Sequence, residues 1–334
     1  MTRREWLFLT PAAAALHAAR PADAPFGRID THTHIHRRAP ALLSAMEQAG
    51  WRGLSICDSR AVGDEPSGLE EMIRGTADVS RESKRRLVWA ATFDARGFES
   101  PDFAERTIAG LGQHFKEGAL GAKIWKNIGM GIRSKSGEYL LPDHAALTPI
   151  LEAIQRAGKT LLAHLADPDA AWRPLDPAQG GYFKNHPEWH MYGRAGAPAK
   201  EAILAARDRI LARHPKLRVI GCHLGSSEED LSQVAKRLDA YPNFAVDVAA
   251  RVRYLMRGDR EAVRQFLLHY QDRILYATDF SLGPGNDEGA AKSFLAQHER
   301  EWDFFAGAEG VVLPEAVRRK IFRDNAVRWL PGIA

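Results

Sequence analysis

The chain has 334 residues, 45% apolar and 26% charged, which is ordinary for a soluble globular protein and sets aside disordered and fibrous classes. Its 46 basic and 42 acidic residues leave a net charge of +4, and no basic run carries interleaved aromatics, so nucleic acid is not an expected partner. The two cysteines, Cys57 and Cys222, lie in apolar strand-like runs, which speaks against a disulfide framework.

The N-terminus differs in character from the rest. Thr2-Arg3-Arg4-Glu5-Trp6-Leu7-Phe8-Leu9 is followed by small residues from Ala12 to Ala15 and then by Arg20-Pro21. A positive start and a short apolar stretch describe an export segment, too short to span a bilayer. The paired arginines before Trp-Leu resemble the twin-arginine address. Residues 1–24 are therefore predicted to be removed, leaving one domain over 25–334 in the periplasm, without a membrane anchor.

From Gly27 onward, short β-like runs alternate with helical patterns. The predicted strands are 28–34, 53–57, 86–93, 119–125, 160–164, 218–223, 244–248 and 273–278, rich in Val, Ile, Leu and Ala. Helical periodicity marks 40–48, 69–83, 145–157, 199–213, 229–238 and 261–270. Strand–helix alternation implies a parallel sheet, and eight repeats imply closure into an α/β (β/α)8 TIM barrel. No Gly-x-Gly-x-x-Gly turn follows the first strand, which disfavours an open doubly wound sheet. The connection after His164 is unusually long and full of Trp, Tyr, Phe and His, so it is predicted to fold over the active face as a lid.

Chemistry gathers at the strand ends. In Ile29-Asp30-Thr31-His32-Thr33-His34 the two histidines at i and i+2 project to one side of a strand, where one divalent metal could take both. His36 continues the alternation and is a weaker candidate. His164, His223 and Asp279 each close another apolar run, at the end of the barrel where such folds carry their chemistry. By the same alternation Cys222 points away from the side His223 faces, and is expected to pack. Lys123 shares a face with Trp125 in Gly121-Ala122-Lys123-Ile124-Trp125-Lys126-Asn127 and is expected to point inward.

These motifs, Ile29 to His34, His164, His223-Leu224-Gly225 and Thr278-Asp279-Phe280, resemble the amidohydrolase superfamily, and within it the amidohydrolase-related branch of metal-dependent hydrolases and decarboxylases. The resemblance implies one divalent ion held by His32, His34, His164 and Asp279, with His223 beside it polarising substrate or positioning water. Imidazoles and a carboxylate suit Zn²⁺, and Mn²⁺ or Fe²⁺ would fit the same set. Asp279 is then placed to accept a proton and later deliver it. Some superfamily members carbamylate a fourth-strand lysine; Lys123 is read here as a catalytic polariser or carboxylate binder.

Trp125, Lys126, Asn127, Tyr182, Trp189, Tyr192, Arg194 and Arg251 are the expected substrate contacts, with Asp247 and Trp172 nearby. They suit a small cyclic or carboxylate-bearing molecule such as a lactone, ester or amide. Hydrolysis of a C–O or C–N bond is the favoured activity, because export fits scavenging. Non-oxidative decarboxylation of an aromatic or enoic acid is the alternative, and a barrel that only binds is the third reading. A homo-oligomer is compatible with such a barrel.

Overall fold

Runs of four to seven residues dense in β-branched and aliphatic side chains, each followed by an amphipathic helix, have one way to bury both faces: a parallel sheet coated by helices. A computed structural model describes residues 26–176 and 181–334. The predicted export segment, residues 1–24, lies outside these, as do residues 177–180 of the long connection.

The strands are β1 (Arg28–His34), β2 (Trp51–Ile56), β3 (Leu87–Thr92), β4 (Gly121–Ile124), β5 (Thr160–Ala163), β6 (Arg218–Gly221), β7 (Phe244–Asp247), β8 (Ile274–Leu275) and β9 (Phe280–Ser281). All neighbours pair in parallel, in the order β8-β7-β6-β5-β4-β3-β2-β1-β9. The eighth barrel position is thus split. β8 pairs with β7 through Val246↔Ile274, whereas β9 pairs with β1 through Thr33↔Phe280. Between them Thr31 N donates to Tyr276 O (3.1 Å) and Asp279 N to His32 O (2.9 Å), so this segment closes the TIM barrel. The run predicted over 273–278 is interrupted because its C-terminal half turns to meet β1.

Side chains from alternate strand positions fill the interior. Ile29, Leu54, Ile56, Val88, Leu162, Ile220, Ala245 and Leu275 form one buried cluster, which Trp329, Leu330 and Ile333 of the C-terminal segment join. Thr160 Oγ1 donates to Trp329 O, fixing that plug to the end of the barrel where β5 begins. The opposite end is left to polar groups. Among the outer helices, Phe103–Lys116 falls outside the predicted set, and the 145–157 pattern starts as a 3₁₀ turn (Ala145–Leu147) before Thr148–Arg156.

Candidate active site

β1 contains a bulge. Its register against β2 runs Asp30↔Gly53 and then Thr33↔Ser55, one residue longer on the β1 side. In an unbroken strand Asp30, His32 and His34 would share a face. The extra residue separates them. Asp30 packs behind the sheet, accepting from Thr278 Oγ1 (2.6 Å) and bonded to His298 Nε2 (3.0 Å), while His32 and His34 face the cavity.

Backbone strain places the next groups. His223 has φ 60°, Leu224 55°, Ser226 59°, Ala250 53° and Asp279 65°, five of the eight non-glycine residues with positive φ among the described residues. Such conformations are uncommon for side-chain-bearing residues and tend to cluster at functional sites. Cys222 joins the barrel interior on the alternation of Ile220. The left-handed turn then swings His223 toward the cavity as well, so the expected opposition between Cys222 and His223 does not hold. Gly221 permits the turn: a Cβ there would meet the Phe244 ring at 2.5 Å.

The groups converge on the cavity floor. His32 Nε2 and His34 Nε2 lie 3.4 and 3.3 Å from Asp279 Oδ1. Ligating atoms of His32, His223 and Asp279 all fall within 4.8 Å of one another. The His164 ring lies 4.2 Å from that of His223, and its buried Nε2 has no hydrogen-bond partner. Lys123 Nζ donates to Cys222 Sγ (3.0 Å) and stands 3.4 Å from His32 Nε2.

Each inner ring is oriented through its far nitrogen. His34 Nδ1 donates to Ile56 O (2.9 Å) and His223 Nδ1 to Ala249 O (2.9 Å). His32 Nδ1 donates to Asp247 Oδ2 (2.9 Å). A carbonyl only accepts, so Nδ1 carries the proton and the Nε2 of a neutral ring turns a lone pair inward. Burial, followed by Lys123, lowers the basicity of His32, and does so more strongly for His164; burial and then His164 lower that of His223 well below the usual imidazole value. Burial opposes ionisation of Asp279, yet the hydrogen bond it accepts from His34 Nε2 when that ring is protonated, and the charge of the protonated His223, His32 and His34 rings, outweigh it and hold the carboxyl well below its usual range. With the rings neutral the same Nε2 atoms offer lone pairs. The ligating atoms of His32 and His223 gather with the Asp279 carboxylate, His34 meets the same carboxylate, and His164 stands beside His223 outside that group. Imidazoles and a carboxylate are the donor set a divalent ion takes, and they fit it.

Asp247 is the residue whose role sequence reasoning missed. It is fully buried, with Oδ1 accepting from His223 N (2.7 Å) and Ala249 N (3.1 Å), so it contacts no substrate. Burial opposes its ionisation, but His32 outweighs this and carries the carboxyl down to about 2. The inward alternation of Ala245 and Asp247 on the seventh strand was the available signal.

A cavity of about 720 Å³ opens above this floor, within the range of small-molecule sites. Trp125, Lys126, Tyr182 and Arg251 line it, as does Arg60, whose guanidinium bonds both oxygens of Asp58 (2.9–3.1 Å). The other four expected contacts lie elsewhere. Asn127 is buried and donates to Ala61 O (3.1 Å), and Trp189 packs edge-on against Trp125 at 4.8 Å. Arg194 donates to Glu188 O and Pro187 O within the long connection, and Tyr192 is exposed. Lys126 is not a free cation: it donates to Asp167 Oδ2 (2.6 Å) and Tyr182 Oη (2.8 Å), and Trp189 covers it at 4.7 Å. Through Tyr182 the long connection reaches the cavity wall.

The amidohydrolase family model matches residues 29–332. No curated protein matches the chain. Solved structures resemble it in fold at low identity. One is 2,6-dihydroxybenzoate decarboxylase from Rhizobium (TM-score 0.54, 17% identity, covering 91% of this chain and 98% of that one). Another is 5-carboxyvanillate decarboxylase from Novosphingobium aromaticivorans, complexed with manganese and a nitrobenzoic acid (TM-score 0.57, 14%, 93% and 97%). A third is dihydroxybenzoic acid decarboxylase from Polaromonas, with manganese and 2-nitroresorcinol (TM-score 0.50, 17%, 91% and 96%).

Proposed function

The chain belongs to the amidohydrolase family, and from that premise we propose that it is a metal-dependent decarboxylase of hydroxylated aromatic acids. One observation carries the reading: an ionised Asp279 lies against two imidazole Nε2 atoms at the floor of a cavity walled by Trp125 and Tyr182 and rimmed by arginines. Such a cavity suits a flat anion. The three structural relatives named above are decarboxylases of 2,6-dihydroxybenzoate, 5-carboxyvanillate and dihydroxybenzoic acid, and two hold manganese, so manganese stands beside the zinc expected from the donor set. His32, His34 and Asp279 would hold the ion, with His223 and His164 adjacent. When bound, the ion offsets the charge of the substrate carboxylate and of its neighbouring oxygen.

Asp279 is the proton carrier. As a carboxylate it takes the proton of the ring hydroxyl beside the substrate carboxylate and passes it to the ring carbon that bears that carboxylate. The carbon–carboxylate bond then breaks, its electron pair restores the aromatic ring, and CO₂ leaves with a phenolate that solvent protonates. Arg60, braced by Asp58, and Trp125 hold the ring in place, and Tyr182 covers it against water.

Hydrolysis, favoured from sequence, becomes the second reading. Its support was export, whose segment lies outside the described residues, and Asp279 would serve it equally well. The test is incubation of metal-loaded protein with hydroxybenzoates, lactones and amides while CO₂ is measured. Release of CO₂ that falls about 10³-fold or more in Asp279→Asn is expected. Turnover of a lactone or amide without CO₂ would reverse the order of the two readings.

A further inference from the structure

The cations around the cavity are not equivalent. Arg60 is paired with Asp58, Lys126 with Asp167, Arg173 with Asp169 and Glu229, and Arg251 with the fully buried carboxylate of Glu228 (3.1 Å). Arg253 and Arg257 also line the cavity, and no carboxylate lies within 4 Å of either among the described residues. Both stand with Arg251 around one ring: the three guanidinium carbons lie 5.5, 5.4 and 6.0 Å from the centroid of Tyr254, itself a lining residue. The uncompensated positive charge of the rim is therefore concentrated on the side built by the segment after β7. That segment begins at the floor, since Ala249 O orients His223, and the left-handed Ala250 turns the chain so that Arg251 follows at once.

Buried Glu228 has no hydrogen-bond partner on either oxygen, and Arg251 Nε has none either, although the two groups attract at 3.1 Å. Arg251 is thus held by charge while its donors are not all spent. The three guanidinium groups around this one ring carry paired N–H donors of the kind that match the planar oxygens of a carboxylate.

We propose that the substrate carries two acidic groups, and that Arg251, Arg253 and Arg257 receive the one that does not react. This rests on the aromatic-acid reading above. The substrate class is then an aromatic dicarboxylate, with one acid at the Asp279 floor and the other beside Tyr254.

Calorimetric titration of metal-loaded protein with benzoate and with isophthalate tests this, using the wild type and an Arg253→Gln, Arg257→Gln double variant. Both positions are exposed, so the fold should survive, and an unchanged melting temperature checks it. Isophthalate is expected to bind the wild type about tenfold more tightly than benzoate, as two added exposed ion pairs to one carboxylate allow. The double variant should lose that advantage and keep its benzoate affinity. Equal binding of the two acids by the wild type would overturn the dicarboxylate proposal and leave the aromatic-acid reading intact. A preference for isophthalate that persists in the variant would likewise overturn it, by locating the selectivity elsewhere. Failure of both acids to bind would remove the aromatic-acid reading and the dicarboxylate proposal with it.

Discussion

Replacing Asp247 by Asn is the most informative single change, because it alters a residue that the cavity never touches. Both oxygens of Asp247 are committed as acceptors, one to His32 Nδ1 and the other to two backbone N–H groups, those of His223 and Ala249. An amide has one oxygen. If it serves the backbone, its NH₂ faces His32 Nδ1, and His32 must move its proton to Nε2, the atom that faces Asp279. If it serves His32 instead, two buried N–H groups face an NH₂ and the turn that presents His223 loosens. Either way one of the inward lone pairs is lost. Changes to a residue that orients a metal-binding histidine typically cost about 10–100-fold in metal affinity, or about 1.4–2.7 kcal/mol.

The stability cost follows from the same carboxylate. A carboxyl carried from 3.8 down to about 2, at about 1.4 kcal/mol for each pH unit, corresponds to a stabilisation on the order of 2–3 kcal/mol. Because the folded value is the lower one, that stabilisation is complete above about pH 4 and fades as pH falls toward 2. At neutral pH the variant should therefore remain folded, since domains typically hold about 5–15 kcal/mol. Competition between the protein and a chelator of known affinity measures the metal constant, and circular dichroism checks folding. A folded variant that binds metal within threefold of the wild type would refute the orienting role of Asp247.

Chelation should lower the melting temperature of the wild type, and one equivalent of zinc or manganese should restore it, because an ion that binds only the folded chain stabilises it by mass action; an unchanged melting temperature would mean the donor set holds no ion. Glu301, buried beside Tyr276 Oη (2.9 Å), is raised by burial to about 7, so its folded value lies above its unfolded one. Its protonated form is the stabilising one: the contribution is complete below about pH 4.5 and lost as pH rises through 7. Glu301→Gln should therefore gain up to about 3 kcal/mol on the wild type between pH 5 and pH 8 in denaturant titrations, and parallel stability–pH curves would contradict this. Tyr182→Phe removes the hydroxyl that accepts from Lys126 and with it the tie between the long connection and the cavity wall. A loss of about 1 kcal/mol should raise KM roughly fivefold with little change in kcat, whereas an unaltered KM would show that the tie does not shape binding.

Much of this protein was legible locally. The period-two runs and the helices between them announced eight strands, and His32, His34, His164, His223 and Asp279 stood at the ends of those runs before any contact was known. Two properties carry such information along the chain: alternation on a strand, and burial of both faces of a parallel sheet. The tertiary structure decided what alternation cannot express. A one-residue bulge separates Asp30 from His32, and a left-handed turn sets His223 beside Cys222 instead of opposite it. Partners 215 residues apart, His32 and Asp247, meet only because the barrel closes. Aromatic content alone did not distinguish Tyr182, which lines the cavity and bonds Lys126, from the similarly exposed Tyr192, which does not line it. Strand periodicity is a property of neighbouring residues, whereas bulges, turns and partner choice are settled by what the rest of the chain packs against them.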